Sequence, residues 1–310
     1  MISLIYQIIR TVRPRQWLKN LAVFAAPVLQ GIIFDPDVLS KSILAFFAFC
    51  FLASGTYILN DLVDVAKDRL HPVKKNRPIA SGKLPVAIAV FCAVIAYAVG
   101  LQISFIYVGT YFGVAGLSYV LLHMFYSLYF RNVIIMDALI VSTGFILRVF
   151  AGGLAADSSI SSWLILTTIG LSLLMAFGKR RSEKTILHDH KIDSKTRDTL
   201  RHYPDSLLDA IISMSASFCL IAYSLFTFQS SPTLGEGQIS GLLPSILKSP
   251  KWMMLTIPIV IYGVARYLYL IYEKKEGESP ERVLLSDRPL LGTVVLWGLS
   301  IFLIVYILPN

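Results

Sequence analysis

The chain has 310 residues, of which 55% are hydrophobic and only 15% charged, with a mean hydropathy of +0.67 and a formal net charge of +9. Because a soluble domain carries about 25% charged residues, this composition excludes an ordinary soluble protein and predicts an integral membrane protein. In such a protein the basic excess is first a matter of membrane topology, so it does not indicate a nucleic acid partner.

Nine apolar segments reach or approach the roughly 20 residues that a helix needs to cross a bilayer. They are 17–34, 41–59, 85–103, 105–127, 133–156, 161–178, 207–229, 251–272 and 289–308. Pro27 interrupts the first, which predicts a kink. Almost no linker separates the third from the fourth, which predicts a tight hairpin. We expect an all-α membrane protein with nine transmembrane helices and one domain over residues 1–310.

Lys and Arg residues are distributed very unevenly between the two sides of these segments. With a cytoplasmic N-terminus, 23 of the 28 fall on the cytoplasmic side. The others are Lys41, Lys248 and Lys251 on the opposite side and Arg148 and Arg266 within spans. The positive-inside rule therefore predicts a multi-pass protein of the inner (plasma) membrane with its N-terminus in the cytoplasm. Three polar segments on that face, at 60–84, 179–206 and 273–288, mix acids with bases, so we expect the chemistry there.

The polar stretch "NDLVDVAKDRLHPVKKNRPIASG" follows the second apolar segment. Its Asp61, Asp64 and Asp68 are spaced i, i+3 and i+7, which places them within about 60° of one another on a helix, with Asn60 beside them. Three carboxylates repel one another unless a cation lies between them, and an all-oxygen set suits Mg²⁺. We predict that these four residues bind Mg²⁺ and that the aspartates are catalytic. The alternative is a solvated, charge-balanced loop.

Three cations follow the aspartates at Lys74, Lys75 and Arg77. Their side chains can bind phosphate oxygens directly. In proteins Mg²⁺ commonly bridges one or two carboxylates to substrate phosphates. A pyrophosphate held by metal on one side and by Lys and Arg on the other would satisfy both sets of charges.

The motif N-D-x-x-D-x-x-x-D at the end of a second membrane helix resembles the UbiA superfamily of intramembrane prenyltransferases. More narrowly, the chain resembles the decaprenyl-phosphate phosphoribosyltransferase branch. The matching stretches are "RPRQWLKN" at 13–20, the aspartate stretch at 60–82, "YSLYFRNVIIMDALIVSTGFILRVFAGG" at 126–153, "GKRRSE" at 178–183 and "PERVLLSDRPLL" at 280–291. Arg131 departs from the branch, where lysine is expected, so a bidentate fork replaces a point charge. The resemblance implies a UbiA-like helical bundle with its active site on the cytoplasmic face.

The resemblance also implies a reaction, the Mg²⁺-dependent transfer of 5-phosphoribose from phosphoribosyl diphosphate (PRPP) to a polyprenyl phosphate, with release of diphosphate. In mycobacteria and their relatives it implies a step of cell-wall synthesis. The lipid phosphate carries a charge of about −1.5 to −2 at neutral pH, so this nucleophile needs no general base. The reaction needs a stabilised leaving group and neutralisation of two polyanions. The sequence leaves a homo-oligomer open.

Roles in that reaction are hypotheses at this stage. Asn60, Asp61, Asp64 and Asp68 would hold the Mg²⁺–diphosphate or the ribose hydroxyls, and Lys19, Lys74 and Arg77 would contact phosphates. Tyr126 and Arg131 end the fourth helix beside the same face as the aspartates, and they would hold the donor's 5-phosphate or the lipid phosphate. Asp137 would take a ribose hydroxyl or pair with a nearby cation. Lys179, Arg180 and Glu183 are candidates for a substrate-binding lid, although "GKRR" also suits simple positive-inside anchoring.

Arg148 lies deep in the fifth apolar segment, about 22 Å along the helix from residue 133. A charge at that depth is costly unless it is paired. We expect a structural role, in which Arg148 contacts backbone carbonyls or an open helix end near Gly152 and Gly153.

Two other classes of function remain to be weighed. An aromatic prenyltransferase would carry a second aspartate-rich motif after the sixth helix. Asp189 and Asp193 lie there, but their loop opens with the cationic "GKRRSEK". A transporter would distribute polar groups toward both faces or along a midplane path. The one-sided charge distribution argues against a transporter.

Overall fold

The computed structural model describes residues 2–70, 74–189, 202–230, 251–274 and 280–308, and these residues form helices and turns without a β-strand. The α-helices are α1 (Ile2–Val12), α2 (Ala25–Leu29), α3 (Pro36–Val63), α4 (Val65–Leu70), α5 (Val86–Gln102), α6 (Thr110–Leu128), α7 (Met136–Ala155), α8 (Ser162–Asp189), α9 (Asp205–Gln229), α10 (Ile257–Tyr272), α11 (Pro280–Ser286) and α12 (Arg288–Phe302). 3₁₀-helices cover Pro14–Phe24, Lys74–Asn76, Phe130–Asn132 and Trp252–Thr256, and the π-helical turns Ile103–Val108 and Leu303–Ile307 extend α5 and α12.

Within the described residues, eight helices are long and apolar enough to cross a membrane. They correspond to the second to ninth apolar segments of the sequence, so the prediction of a multi-pass, all-α membrane protein is confirmed. The predicted hairpin is also present, because Gly109 alone separates Val108 from Thr110. Gly109 has a φ of 148°, a conformation that residues with a side chain rarely adopt.

The first apolar segment differs from the prediction. Its residues form the 3₁₀-helix Pro14–Phe24 followed by the short α2, and the chain then turns at Gly31 with a φ of 77°. Pro27 does not kink a long helix there, since it lies in the first turn of α2, where a missing N–H costs no intrahelical hydrogen bond. At about 2.0 Å per 3₁₀ residue and 1.5 Å per α residue, the two pieces extend over about 30 Å. A ninth crossing stays a prediction.

The 3₁₀-helix Pro14–Phe24 packs against α7 at very close range. A Cβ atom added to Gly152 would come within 1.9 Å of the Val23 carbonyl oxygen, so only glycine permits this approach. Arg148 lies beside this contact. Its guanidinium donates to Asn20 Oδ1 at 2.8 Å, to the Gly144 carbonyl at 2.7 Å and to the Tyr119 hydroxyl at 2.9 Å. Arg148 thus ties three elements together as a structural residue, and its carbonyl partner is Gly144 rather than a group near Gly152.

Candidate active site

The polar residues that follow the second apolar segment lie where α3 gives way to α4. Asn60 and Asp61 occupy the last turn of α3, Asp64 is the residue between the helices, and Asp68 belongs to α4. The predicted single helix is therefore divided at Asp64. Its hydrogen-bond spacing continues nonetheless, because the Asp64 N–H donates to the Asn60 carbonyl at 3.0 Å and the Asp68 N–H to the Asp64 carbonyl at 2.8 Å. The three aspartates accordingly remain on one side.

Asp61 is the most deeply buried of the three aspartates, with 2% of its surface exposed. Its Oδ1 accepts hydrogen bonds from Arg13 Nη2 at 2.5 Å and from Arg77 Nη1 at 3.0 Å. Its Oδ2 is buried and has no hydrogen-bond partner among the residues that the structure describes. Asp61 therefore presents one carboxylate oxygen to arginines and keeps the other for a further ligand.

Arg13 is a residue of this site that the sequence did not single out, although it begins the "RPRQWLKN" stretch. Its backbone is left-handed, with φ 57° and ψ 63°, which is uncommon for a residue other than glycine. The guanidinium lies 5.4 Å from the centre of the Tyr57 ring, at cation–π distance. A strained backbone that presents a charged side chain is a feature often found at functional sites.

Arg77 bridges two of the aspartates, as its Nη1 also lies 2.6 Å from Asp68 Oδ2. Asp68 is itself buried, and this burial raises the pKa of its carboxyl group. Arg77 opposes that shift in pKa, whereas the neighbouring charges of Asp61 and Asp64 reinforce it. The three carboxylates therefore interact electrostatically, and an added cation between them would be stabilised.

The end of α6 completes this part of the site. Arg131, in the 3₁₀-helix after α6, forms an ion pair with Asp64. It therefore lies beside the aspartates, as predicted. Ser127, in the last turn of α6, hydrogen-bonds to Asn60 Oδ1 and is a second residue that the sequence did not single out. Tyr126 lies next to it and is largely buried.

The donor set fits Mg²⁺ in chemistry, although the carboxylates do not form a closed metal cage. Among the described residues, no group of three or more His, Cys, Asp or Glu side chains is arranged to hold a metal ion. Arginines lie between the aspartates instead. Mg²⁺ usually takes only one or two carboxylates and completes its shell with water and phosphate oxygens. Asp61 Oδ2 is a carboxylate oxygen that is placed to serve as one of these ligands. The predicted ligand set of Asn60, Asp61, Asp64 and Asp68 stays a prediction.

A second polar cluster joins the start of α7 to α8. Asp137, fully buried, lies 2.7 Å from Arg180 Nε through its Oδ2. Arg180 Nη1 also lies 2.7 Å from Glu183 Oε2, and Lys179 Nζ is 3.9 Å from Glu183 Oε1. Of the two predicted options for Asp137, the structure has the ion pair with a cation. Since Arg180 is 3% exposed, it lies inside the bundle, which does not suit a lid that covers the site from outside.

The remaining predicted phosphate contacts come from two other segments. Lys74 opens the 3₁₀-helix that leads to Arg77. Lys19 lies in the 3₁₀-helix Pro14–Phe24, where its Nζ donates to Gln16 Oε1 at 2.5 Å. Lys19 also lines the apolar cavity described next, so it places a positive charge in the wall of that cavity.

An apolar cavity of about 470 Å³ lies between the 3₁₀-helix Pro14–Phe24 and helices α7, α8, α9, α10 and α12. Its wall includes Phe145, Val149, Met175, Tyr223 and Trp297. Lys19 is the one charged residue of this wall within the part of the chain that the structure describes. Sequence patterns gave no signal for this cavity, because its wall residues are indistinguishable from lipid-facing or core residues.

The chain resembles proteins of one family both in sequence and in structure. The model of the UbiA prenyltransferase family matches residues 21–287. A decaprenyl-phosphate phosphoribosyltransferase of Corynebacterium glutamicum is 34% identical over 304 residues, covering 97% of this chain and 87% of the relative. One from Mycolicibacterium smegmatis is 33% identical over 299 residues, covering 95% of this chain and 91% of the relative.

Among solved structures, a UbiA homolog from Archaeoglobus fulgidus bound to GPP and Mg²⁺ superposes with a TM-score of 0.68. The alignment covers 96% of this chain and 99% of that one at 18% sequence identity. At this identity the likeness concerns the fold alone, and it confirms the predicted UbiA-like helical bundle.

Proposed function

The chain belongs to the UbiA prenyltransferase family, and on that premise we propose that it transfers 5-phosphoribose from PRPP to a polyprenyl phosphate and releases diphosphate. It is thus proposed to be a pentosyltransferase of the membrane. The names of the relatives that match almost the whole chain support this reaction over the other chemistries of the family.

The observation that carries the proposal is the set of arginines placed against the aspartates. Arg13 and Arg77 contact Asp61, Arg77 also contacts Asp68, and Arg131 contacts Asp64. A donor with three phosphate groups needs cations for its oxygens, and guanidinium groups bind phosphates in a bidentate manner. The same donor brings a divalent cation, for which the carboxylates provide oxygen ligands.

The residues of the chain can be given roles in this transfer. Asn60, Asp61, Asp64 and Asp68 would hold Mg²⁺, which when bound would neutralise charge on the departing diphosphate. Arg13, Arg77 and Lys74 would bind diphosphate oxygens. Arg131 and Tyr126, at the end of α6 beside the aspartate set, would hold the donor's 5-phosphate. The catalytic contribution of these groups is positioning and electrostatic stabilisation, which their partial burial strengthens.

The acceptor would enter from the apolar side. Its isoprenoid tail suits the apolar cavity, and its phosphate suits Lys19 in the cavity wall. Since the lipid phosphate is already ionised at neutral pH, no side chain has to remove a proton from it. The chain's task is to align this anion with the ribose carbon and to exclude competing water.

The alternative functions receive less support. An aromatic prenyltransferase would use a second aspartate-rich motif, for which the chain offers Asp189 at the end of α8 and Asp193 outside the described residues. The relatives that match almost the whole chain are named for phosphoribosyl transfer instead. A transporter would need a polar path, whereas the cavity wall is almost entirely apolar. We retain, as proposals, the plasma membrane location, the cytoplasmic N-terminus and active site, one domain over residues 1–310, and the use of the product for cell-wall synthesis. A homo-oligomer stays open.

The proposal is tested by incubating the purified protein with ¹⁴C-ribose-labelled PRPP, Mg²⁺ and a polyprenyl phosphate, followed by extraction of lipid. We expect a labelled lipid whose formation stops when EDTA is added. In parallel, the protein is given a prenyl diphosphate and 4-hydroxybenzoate. Turnover of that pair without a labelled lipid in the first assay would replace the proposed function by aromatic prenyl transfer.

A further inference from the structure

The elbow between α6 and α7, residues 129–136, contains an unusual backbone conformation. Ile135 has a φ of 70° and a ψ of −49°. A positive φ is disfavoured in any residue with a side chain and particularly in a β-branched one, so the surroundings must hold the backbone in place. The same elbow carries Arg131, the partner of Asp64.

The group that holds this elbow is the hydroxyl of Tyr203. It accepts a hydrogen bond from the Ile135 N–H at 2.5 Å and donates one to Asp137 Oδ1 at 2.6 Å. Burial and the hydrogen bond to Asp137 raise the pKa of Tyr203 above its usual range, so the hydroxyl stays protonated and able to donate at neutral pH. One oxygen atom therefore fixes both the strained peptide and the first turn of α7.

Tyr203 is itself firmly placed. Its side chain is fully buried and packs in a cluster that includes Leu174 and Leu208. Its carbonyl accepts a hydrogen bond from Lys184 Nζ at 2.6 Å, and Lys184 also pairs with Asp205 Oδ1 at 2.9 Å. These contacts attach Tyr203 to α8 and to the start of α9, so they give the elbow a rigid support.

We propose that Tyr203 is a positioning residue for the donor substrate, which holds the 129–136 elbow through its hydroxyl and so places Arg131 against Asp64. This inference rests on the proposed function for its choice of substrate. Tyr203 acts through Ile135 and Arg131, not by contact with the reacting atoms. Because Asp64 belongs to the aspartate set that would hold the metal and diphosphate, the substrate affected is PRPP and not the lipid.

The kinetic test compares Tyr203→Phe with Tyr306→Phe. Both changes remove only a hydroxyl that makes a hydrogen bond, but that of Tyr306 binds the Val28 carbonyl, away from the aspartates. For Tyr203→Phe we expect the KM for PRPP to rise about tenfold, as for loss of a hydrogen bond to a charged group. The KM for the lipid should stay within about twofold, and Tyr306→Phe should resemble the wild type. An unchanged KM for PRPP, or equal changes for both substrates, would contradict the proposal.

A double-mutant cycle tests whether Tyr203 acts through Arg131. If it does, Tyr203→Phe added to Arg131→Ala should raise the KM for PRPP little further, since the group that it positions is already gone. Full additivity of the two effects would mean that Tyr203 acts by another route and would overturn the proposal.

Hydrogen exchange of the elbow tests the structural part without any substrate. In detergent micelles, the peptide that contains the Ile135 amide should exchange faster in Tyr203→Phe than in the wild type or in Tyr306→Phe. Unchanged exchange would contradict the proposal, and so would faster exchange with an unchanged KM for PRPP. If the wild type does not use PRPP at all, the proposed function fails, and the exchange result still decides whether Tyr203 holds the elbow.

Discussion

Arg77 offers the sharpest single perturbation of the site, because one guanidinium neutralises two buried carboxylates. In Arg77→Gln, Asp61 keeps Arg13 as a partner, but Asp68 loses the only ion pair that it makes within the described residues. Breaking one partner of a buried pair costs about 3–5 kcal/mol. Arg77 is 27% exposed, which weakens the pair through solvent screening, so we expect a loss of about 2–3 kcal/mol.

Addition of Mg²⁺ makes the expected outcome specific. Without Arg77 the aspartates repel one another, so Mg²⁺ should raise the Tm of Arg77→Gln by more than it raises the Tm of the wild type. The KM for PRPP should rise about tenfold or more, since a charged contact to phosphate is lost. Thermal unfolding in detergent, with and without Mg²⁺, measures the first effect, and steady-state kinetics measure the second.

The matched control is Arg69→Gln, because Arg69 is exposed and its described hydrogen bond goes to the Ala80 carbonyl. This variant should behave like the wild type in both measurements. The reasoning is refuted if Arg77→Gln and Arg69→Gln respond equally to Mg²⁺, or if Arg77→Gln retains the wild-type KM for PRPP.

Three further predictions concern separate parts of the molecule. Asp64→Asn should lower turnover at least a hundredfold without unfolding the protein. The control Asp157→Asn, at an exposed aspartate beyond α7, should leave turnover unchanged. Near-normal turnover of Asp64→Asn would rule out a role of Asp64 in metal binding. Hydrogen bonds from Arg266 outweigh burial and hold the pKa of Asp287 below its usual range, so the stability that ionised Asp287 contributes is complete above about pH 4 and declines as the pH falls toward the folded-state pKa. The Tm of Asp287→Asn should therefore fall less steeply than that of the wild type between about pH 5 and pH 3. Parallel Tm curves for the two proteins would contradict this prediction. Thr168→Phe places a ring in the cavity wall and should raise the KM for the polyprenyl phosphate about tenfold with little change in the KM for PRPP. A rise in the KM for PRPP without a rise in the KM for the lipid would contradict binding of the lipid in this cavity.

The sequence predicted those parts of the molecule that depend on local patterns. Hydropathy located eight membrane helices, because each apolar stretch is continuous along the chain. The spacing of Asp61, Asp64 and Asp68 predicted that they lie on one side, since their hydrogen-bond spacing continues through the break at Asp64. The position of Arg131 beside the aspartates followed from where α6 ends.

Other parts of the site depend on contacts between residues far apart in sequence. Arg13 reaches Asp61 across 48 positions, and Tyr203 reaches Asp137 across 66. Neither contact leaves a periodic signal, and the positive φ angles at Arg13 and Ile135 are not marked by glycine. The first apolar segment was also assigned the wrong local structure, because hydropathy does not distinguish a 3₁₀-helix from an α-helix.

The most direct test of the proposed reaction follows two labels in the donor. PRPP carrying ³²P either in its 5-phosphate or in the β-phosphate of its diphosphate is incubated with the protein, Mg²⁺ and a polyprenyl phosphate. Transfer of phosphoribose predicts that the 5-phosphate label enters the lipid while the β-phosphate label is released as diphosphate. Appearance of the β-phosphate label in the lipid, or of neither label, would contradict the proposed transfer.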